Sequence, residues 1–402
     1  MNEDNLLITE PKRILVVGNG FDIALDLPTK YTAFMRHLLM YRCMIKELPM
    51  PEIEADDKLY KQFAEKMENW RNGYINEETG RIDKVLFDDT LFRNSLILIL
   101  IFKFNHKELS RSKSYLSNEG NQNSHDEVTI YPKSKNEKNF SEEAINGSEI
   151  NWFNLEEILF EISKDEMYQK TINEIDIEID NSCVSSMYLK NFKNKNYDEL
   201  KNGLIFLKAS LSIYLDCVKD IYLNNPSKQT LDIFKKICNI LEYQENSSNK
   251  YSKIISLNYT NAAERLFKIP TNYPHGKINN DNPEKSKIVL GYYDNSTDNN
   301  FDTSFLEFQK FYQRILLGTG KYEELESKTQ YIDFYGFSCD PADSELINTL
   351  LKNCKQIKRI RVFCYKDKGQ YIINLIKCIG RERILDLTNQ GTLEFILIHE
   401  QE

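Results

Sequence analysis

The sequence lacks the cysteine pairs that bind structural zinc. It contains eight cysteines, but none of them form a Cys-x-x-Cys pair, which is the spacing in which zinc modules supply their thiolate ligands. The cysteines are scattered along the chain and do not form a dense framework, so we expect reduced thiols that pack as small apolar side chains. The pattern predicts neither a zinc module nor disulfide bonds, and we expect no bound metal.

Long apolar runs are also missing. The longest purely apolar run, Leu96–Phe102, is far shorter than the roughly 20 residues that a membrane-spanning helix needs. The N-terminus shows no basic segment followed by an apolar one, as a secretory signal would. We therefore expect a soluble, cytoplasmic protein that has no membrane partner.

An excess of positive charge is absent as well. The chain has 52 basic and 61 acidic residues and a net charge of −9, so as a whole it repels a phosphate backbone and a nucleic-acid partner is disfavoured. With 402 residues, of which 41% are hydrophobic, it exceeds one ordinary domain and can bury a substantial core.

What the sequence does contain is an apolar strand that ends in Gly-x-Gly. Segment 13–17 runs directly into Gly18, Asn19, Gly20, Phe21 and Asp22. A parallel strand with this ending can bring backbone N–H groups close to the phosphates of a nucleotide. The third glycine of the dinucleotide fingerprint is missing, because position 23 is Ile, so the motif alone is weak evidence. Asp22 could either bind a ribose hydroxyl or cap the following helix.

Two further apolar segments, 253–257 and 331–335, end in small or polar residues. These residues are Asn258, Gly336 and Ser338, and His275 lies between a proline and a glycine further along the chain. The carboxyl ends of parallel strands meet at one edge of a sheet, which is where ligands bind in open α/β folds. We therefore expect these residues and the Gly-x-Gly loop to line one crevice.

His275 and Asn258 are the candidates for catalysis. An imidazole that titrates near neutral pH can take a proton from a ribose hydroxyl or from water, although His275 could also be only a turn residue. Asn258 can hold a hydroxyl, a carboxamide or an attacking water, or it could form an Asx turn. Ser338 could donate to a phosphate or ribose, or serve only its turn. For Asp343, in a first helical turn, we first expect a structural role.

The order of these motifs resembles a known family. Gly-Asn-Gly-Phe-Asp at 18–22, Asn-Tyr-Thr at 258–260, His-Gly at 275–276 and Tyr-Gly-x-Ser-x-Asp-Pro-x-Asp-Ser at 335–344 are similar to the bacterial abortive-infection AbiH family of phage-defence proteins. More broadly, the order resembles the sirtuin-type NAD-binding fold. Sirtuins have Asn-Ile-Asp where this chain has Asn-Tyr-Thr, and this departure argues against protein deacylation.

The resemblance implies an anti-phage protein that binds a nucleotide, NAD. The implied NAD-binding residues are Gly18, Asn19, Gly20, Phe21, Asp22, Gly336 and Ser338. It further implies a glycohydrolase that uses His275 and Asn258 to release nicotinamide and ADP-ribose. The alternative is a non-catalytic nucleotide-binding sensor whose helical insertion contacts a phage component or a partner subunit. A homo-oligomer is compatible with either function.

The apolar pattern predicts an α/β fold with a doubly wound, Rossmann-like parallel sheet and a large helical insertion. The resemblance implies that the sheet is of the sirtuin type. We predict strands at 13–17, 253–257, 287–290, 331–335, 359–364 and 382–386, and helices at 30–46, 260–267, 303–317, 341–353 and 368–379. Residues 1–50 and 250–402 are predicted to form the nucleotide-binding domain, and residues 51–249 the insertion.

The predicted insertion has two notable segments. Residues 107–148 are dominated by Ser, Asn, Lys and Glu and should form a mobile loop, because they cannot bury enough apolar surface. Trp152 and Glu156 are four residues apart, on one face of a predicted helix. They could close over the crevice, or they could be a core Trp beside a solvated Glu.

Overall fold

A computed structural model of the chain describes residues 12–47, 56–76, 80–100, 152–163, 197–245, 249–278, 286–292, 303–319, 329–353 and 357–398. The chain divides into two compact units. The sheet unit comprises Met1–Thr29, Leu215–Val289 and Lys310–Glu402, and the helical unit comprises Lys30–Tyr214 and Leu290–Gln309.

The sheet unit is built on six parallel strands. They are β1 (Lys12–Val17), β2 (Lys253–Ser256), β3 (Thr271–Asn272), β4 (Thr329–Tyr335), β5 (Arg359–Tyr365) and β6 (Leu393–Ile398). Their order in the sheet is β3-β2-β1-β4-β5-β6. Doubly wound dinucleotide-binding folds have this same order, and their ligands bind where it reverses, between β1 and β4.

The α-helices with defined bounds include α1 (Asn19–Ala24), α2 (Tyr31–Ile45), α3 (Asp57–Asn72), α4 (Lys84–Arg93), α5 (Trp152–Ser163), α6 (Tyr197–Val218), α7 (Lys228–Ile240), α8 (Ala262–Phe267), α9 (Lys310–Leu317), α10 (Ser344–Asn353), α11 (Gly369–Ile379) and α12 (Arg381–Asn389). A π-helical turn at Lys219–Leu223 and 3₁₀ turns at Thr303–Phe308 and Pro341–Asp343 adjoin them. In the helical unit, Ile75–Asn76 and Arg81–Ile82 form a short antiparallel hairpin.

The register of the central strands positions the loops that follow them. Val17, the last residue of β1, is level with Ser256 of β2 and with Tyr335 of β4. Most residues of these strands are buried, and most of the buried ones are apolar, as expected for a parallel sheet covered by helices on both faces. The chain therefore leaves these three strands at the same edge, side by side.

A buried ion-pair network joins the adjacent strands β1, β4 and β5. Asp333 of β4 accepts hydrogen bonds from Arg13 of β1 (Nη2–Oδ2 2.9 Å) and from Arg361 of β5 (Nε–Oδ1 2.7 Å), and from the Tyr251 hydroxyl at 2.7 Å. Both guanidinium groups also donate to the carbonyl of Leu241, at the C-terminal end of α7. Each charge in the network thus has a partner, which a buried charge requires.

The structure confirms the predicted α/β fold at the level of an all-parallel six-stranded sheet with many helices. The predicted strands at 13–17, 253–257, 331–335 and 359–364 match β1, β2, β4 and β5 to within two residues. That the sheet is of the sirtuin type stays a prediction.

The predicted strand at 382–386 is wrong, because this segment lies in α12. Ile384 and Leu387 are buried three residues apart while their neighbours are exposed, which is the period of a helix. Gly380, with φ of +85°, separates α11 from α12. The last strand is β6, further along the chain.

The predicted strand at 287–290 is also absent from the structure. The backbone of Val289 is satisfied outside the sheet: its N–H donates to the His275 carbonyl at 2.8 Å, and its carbonyl accepts from the Tyr259 hydroxyl at 2.9 Å. The two-residue β3 occupies this edge of the sheet instead. Its residues, Thr271 and Asn272, are polar, so the apolar pattern does not predict a strand there.

The predicted domains, 1–50 with 250–402 and 51–249, stay a prediction, and the compact units assign residues 30–50, 215–249 and 290–309 differently. The predicted loop at 107–148 lies outside the described residues. Within the described ranges, no helix is long and apolar enough to cross a membrane.

Candidate functional site

The loops that follow β1 and β4 pack against each other backbone to backbone. Gly20 N–H donates to the Gly336 carbonyl at 2.8 Å, and Gly18 N–H donates to the Tyr335 carbonyl at 3.3 Å. A Cβ on Gly18 would lie 2.6 Å from the Gly336 oxygen, and one on Gly20 would lie 2.7 Å from the Gly336 Cα. The glycines therefore allow two loops to meet, and the N–H groups of Gly18 and Gly20 are already engaged.

Asn19 and Phe21 anchor the same loop. Asn19 is the first residue of α1, and its Oδ1 accepts from the Thr29 hydroxyl at 2.8 Å, which ties the segment that follows α1 to the loop. Phe21 is buried and its ring packs against Phe267 and Tyr335. The described contacts of both side chains are therefore structural.

Asp22, Asn258 and Thr260 form a buried hydrogen-bonded group. Asn258 Nδ2 donates to Asp22 Oδ1 at 2.8 Å and to the Gly18 carbonyl at 3.0 Å, and the Thr260 hydroxyl donates to Asp22 Oδ2 at 2.6 Å. Asp22 therefore lies within α1 as an acceptor and is not the predicted helix cap. A sirtuin-like Asp at position 260 would put a second carboxylate against Asp22, whereas Thr260 donates to it.

Two features make this group a candidate binding site. Asn258 is only 5% exposed, and no donor among the described residues bonds to its buried Oδ1, which is costly unless a donor is supplied. Burial raises the pKa of Asp22 to about 7, against the lowering effect of the hydrogen bonds from Thr260 and Asn258. The carboxyl of Asp22 is therefore expected to titrate near neutral pH.

His275 belongs to a second buried cluster, on the turn after β3. Its Nε2 lies 2.9 Å from Asp343 Oδ1, an oxygen that Lys310 Nζ also contacts at 3.2 Å. Arg314 Nη2 lies 3.3 Å from the same Nε2, and its Nη1 is bound to Glu345 Oε2 at 2.7 Å. The cluster joins the His275 turn to α9 and to the start of α10.

The pKa of His275 is lowered to about 4, mainly by burial and in part by the nearby cations Lys310 and Arg314, while Asp343 opposes these effects. Burial alone would raise the pKa of Asp343, but Lys310 and His275 hold it well below its usual range. The expectation that His275 titrates near neutral pH is therefore wrong. It lies on a turn as predicted, but its imidazole is buried and neutral at pH 7.

The contact between His275 and Asp343 crosses the crevice edge of the sheet. His275 follows β3 and Asp343 follows β4, and these strands are separated by β2 and β1, a span of roughly 14 Å at the usual strand spacing. The two loops therefore meet above the carboxyl ends of the central strands. The Gly18 loop and Asn258 lie at those same strand ends.

Gly276 supports the His275 turn. Its φ is +75°, and a Cβ there would collide with the Lys287 carbonyl. Ser338, in contrast, is exposed, and the hydrogen bond described for it is made by its carbonyl, which accepts from Asn374 Nδ2 at 2.9 Å. The assignment of NAD binding and catalysis to the predicted site residues stays a prediction.

The sequence-based prediction missed the partners of His275. From the sequence, Asp343 is expected only to begin a helix, and no pattern predicts a role for Lys310, Arg314 or Glu345. Lys310 and Arg314 are one helical turn apart in α9, but only the structure shows that both are almost fully buried, and buried cations need anionic partners.

Trp152 and Glu156 lie in α5, as the predicted helix requires. The Trp152 side chain lies outside the described residues, and Glu156 is half-buried. Their predicted closure over the crevice stays a prediction.

A protein-family model described as Bacteriophage abortive infection AbiH matches residues 14–365. No match to the chain is found among curated proteins or among solved structures.

Proposed function

We propose that this chain, which belongs to the AbiH family of bacteriophage abortive infection proteins, binds NAD at the carboxyl edge of its sheet and hydrolyses it to nicotinamide and ADP-ribose. The family match covers most of the sequence and carries the anti-phage role. NAD as the ligand and hydrolysis as the reaction are our proposal.

The observation that carries the proposal is the position of the Gly-x-Gly strand end in the sheet. β1 ends where the strand order reverses, with β2 on one side and β4 on the other. In doubly wound folds this reversal opens the crevice that receives a dinucleotide. Asn258, at the end of β2, adds a buried amide oxygen to which no described residue donates.

The side chains at this edge have suitable chemistry for cleavage of a glycosidic bond. The Asn258 oxygen could accept from a carboxamide or an attacking water, and the neutral imidazole of His275 could accept from a ribose hydroxyl. Asp22, with a pKa of about 7, could exchange a proton at neutral pH. Because the N–H groups of Gly18 and Gly20 are already bonded, the diphosphate would need other donors.

A specific observation favours the alternative, a nucleotide-binding sensor without catalysis. With its pKa lowered to about 4, His275 is a weak base at pH 7, since a general base works best near the operating pH. The Asn258 amide nitrogen is also committed to Asp22 and Gly18. Such a site could hold a ligand and transmit its presence without chemistry.

One experiment separates the two functions. The purified full-length chain is incubated with NAD, and released nicotinamide is measured by chromatography, beside NAD binding by calorimetry. We expect release by the wild type, and roughly 10²–10⁴-fold lower turnover with retained binding for His275→Ala. The control Glu394→Gln, which changes a surface ion pair with Arg359 on the β5–β6 side of the sheet, should match the wild type.

Binding without release of nicotinamide would establish the sensor and exclude the hydrolase. The absence of NAD binding by the folded wild-type chain would contradict both forms of the proposal. Circular dichroism of each variant verifies that the fold is retained.

A further inference from the structure

We propose that Asp343 is the positioning residue for His275: it fixes the imidazole in the tautomer that carries its proton on Nε2, so that Nδ1 is the hydrogen-bond acceptor offered to the ligand. The role of Nδ1 toward a ligand rests on the proposed function. The contacts of Nε2 with Asp343 and Arg314 do not depend on that function.

The geometry at Nε2 distinguishes the two tautomers. Nε2 lies 2.9 Å from Asp343 Oδ1 and 3.3 Å from Arg314 Nη2. With the proton on Nε2, the shorter contact is a charge-assisted hydrogen bond to a carboxylate. With the proton on Nδ1, the Nε2 lone pair could accept from Arg314, but it would face a carboxylate oxygen at 2.9 Å, and two acceptors in a buried site repel each other.

Two cations keep Asp343 in the ionised form that this hydrogen bond needs. Lys310 Nζ lies 3.2 Å and Arg314 Nη2 lies 3.7 Å from the same Oδ1, and an ionised carboxylate can only accept. Glu345 binds the other end of the Arg314 guanidinium at 2.7 Å and so holds its orientation. Asp343 therefore favours the proton on Nε2, whereas Arg314 Nη2, which can only donate, favours a lone pair there. We infer that the shorter contact, with Asp343, sets the proton position.

This arrangement assigns a role to Nδ1. No hydrogen bond from a described residue reaches that atom, and in the Nε2–H tautomer it is an acceptor. It can take the proton of a hydroxyl-bearing ligand such as a ribose, or orient that hydroxyl. If the proton moved to Nδ1, the same atom would become a donor and this function would be lost.

The exchange Asp343→Asn tests the inference, because an amide can donate to Nε2 and so favour the Nδ1–H tautomer. The tautomer is read from long-range ¹H–¹⁵N spectra of the imidazoles in the full-length chain. The chain has five histidines, and His275→Gln assigns the relevant signals by their disappearance. Glu394→Gln is the control, since it makes the same carboxylate-to-amide change beside a different arginine.

We expect the Nε2–H tautomer in the wild type and in Glu394→Gln, and a shift toward the Nδ1–H tautomer in Asp343→Asn. NAD turnover of Asp343→Asn should fall by roughly 10²–10⁴-fold with KM changed only a few-fold, as expected when a base is held in the wrong tautomer. If Asp343 only stabilised the fold, Asp343→Asn would lower stability but His275 would keep the wild-type tautomer.

An Nδ1–H tautomer in the wild type would overturn the inference, and that spectrum decides the matter even if Asp343→Asn does not fold. So would an Asp343→Asn variant with full turnover and an unchanged tautomer. If the wild type shows the Nε2–H tautomer but releases no nicotinamide, the positioning by Asp343 is supported and the hydrolase proposal fails.

Discussion

At the residue scale, burial moves the pKa values of Asp22 and His275 in opposite directions, because a buried site disfavours the charged form of each. The pKa of Asp22 rises to about 7, and that of His275 falls to about 4. At pH 6 the carboxyl is therefore largely protonated and the imidazole largely neutral. The site then has little charge of its own apart from the ion pairs around Asp343.

These shifts affect stability with opposite signs. The folded pKa of Asp22 lies above its usual value of 3.8, so its contribution is full below about pH 4 and is lost as the pH rises through about 7. The folded pKa of His275 lies below 6.5, so its contribution is full above about pH 6.5 and is lost as the pH falls through about 4. The contribution of either group to the free energy of unfolding can be isolated by comparing the wild type with a variant that lacks the group.

We expect Asp22→Asn to remove the first of these slopes. The free energy of unfolding, measured in urea from pH 4 to 8, should fall with rising pH by up to roughly 4 kcal/mol more in the wild type than in the variant. Asp26→Asn, at an exposed residue just after α1, should keep the wild-type slope. Parallel curves for wild type and Asp22→Asn would show that the carboxyl does not titrate in this range.

The residues at the strand ends were predictable, but their partners were not. Asn258 and His275 stand out because each occupies a special position in the local sequence, after an apolar strand or between a proline and a glycine. The contact with Asp343 joins residues 68 positions apart through the fold. Local patterns contain no information on such a pairing, nor on the burial that shifts a pKa.

At the element scale, the glycines of the two crevice loops are explained by contact between the loops themselves. Gly336 has φ of +61°, and a Cβ there would collide with the Phe21 nitrogen. The sequence predicts that Gly18 and Gly20 allow a close backbone approach. It could not distinguish a phosphate from a neighbouring backbone as the group that needs the space.

Gly336→Ala should therefore be much more damaging than Gly318→Ala. Both glycines have positive φ, +61° and +65°, but at Gly318 no atom of the described residues lies within 4 Å of the position of a Cβ. We expect Gly318→Ala to cost about 1 kcal/mol, from the backbone conformation alone, and Gly336→Ala roughly 3 kcal/mol or more. Urea unfolding measures both values, and equal costs would show that the two loops can separate without penalty.

Element identity was predicted well where a strand is long and apolar and poorly where it is not. β1, β4 and β5 are mainly apolar and contain few charged residues, and their bounds were nearly correct. The segment 382–386 has apolar residues in a short cluster, which by itself does not distinguish a strand from a helix. β3 has two residues, and only pairing with β2 defines it.

At the scale of the whole molecule, the strand order depends on contacts that span most of the chain. β1 lies between β2 and β4, so residues 14–17 pair with 253–256 on one side and with 332–335 on the other. Apolar runs predicted a parallel sheet, because helices must cover both of its faces. The order of the strands came from the structure, and it places the crevice between β1 and β4.

The proposed function predicts a specific result in infected cells. If the family's role in phage defence is carried out through NAD hydrolysis, cells that express the wild-type chain should lose NAD after infection and yield few plaques. His275→Ala should keep NAD at the level of uninfected cells and yield as many plaques as cells without the chain, because roughly 10²–10⁴-fold lower turnover cannot deplete the pool within one infection. Glu394→Gln, expressed to the same level, should protect like the wild type. Protection by a folded His275→Ala variant without loss of NAD would instead establish that the crevice senses its ligand, since a sensor needs the binding surface but not the turnover that His275 supports.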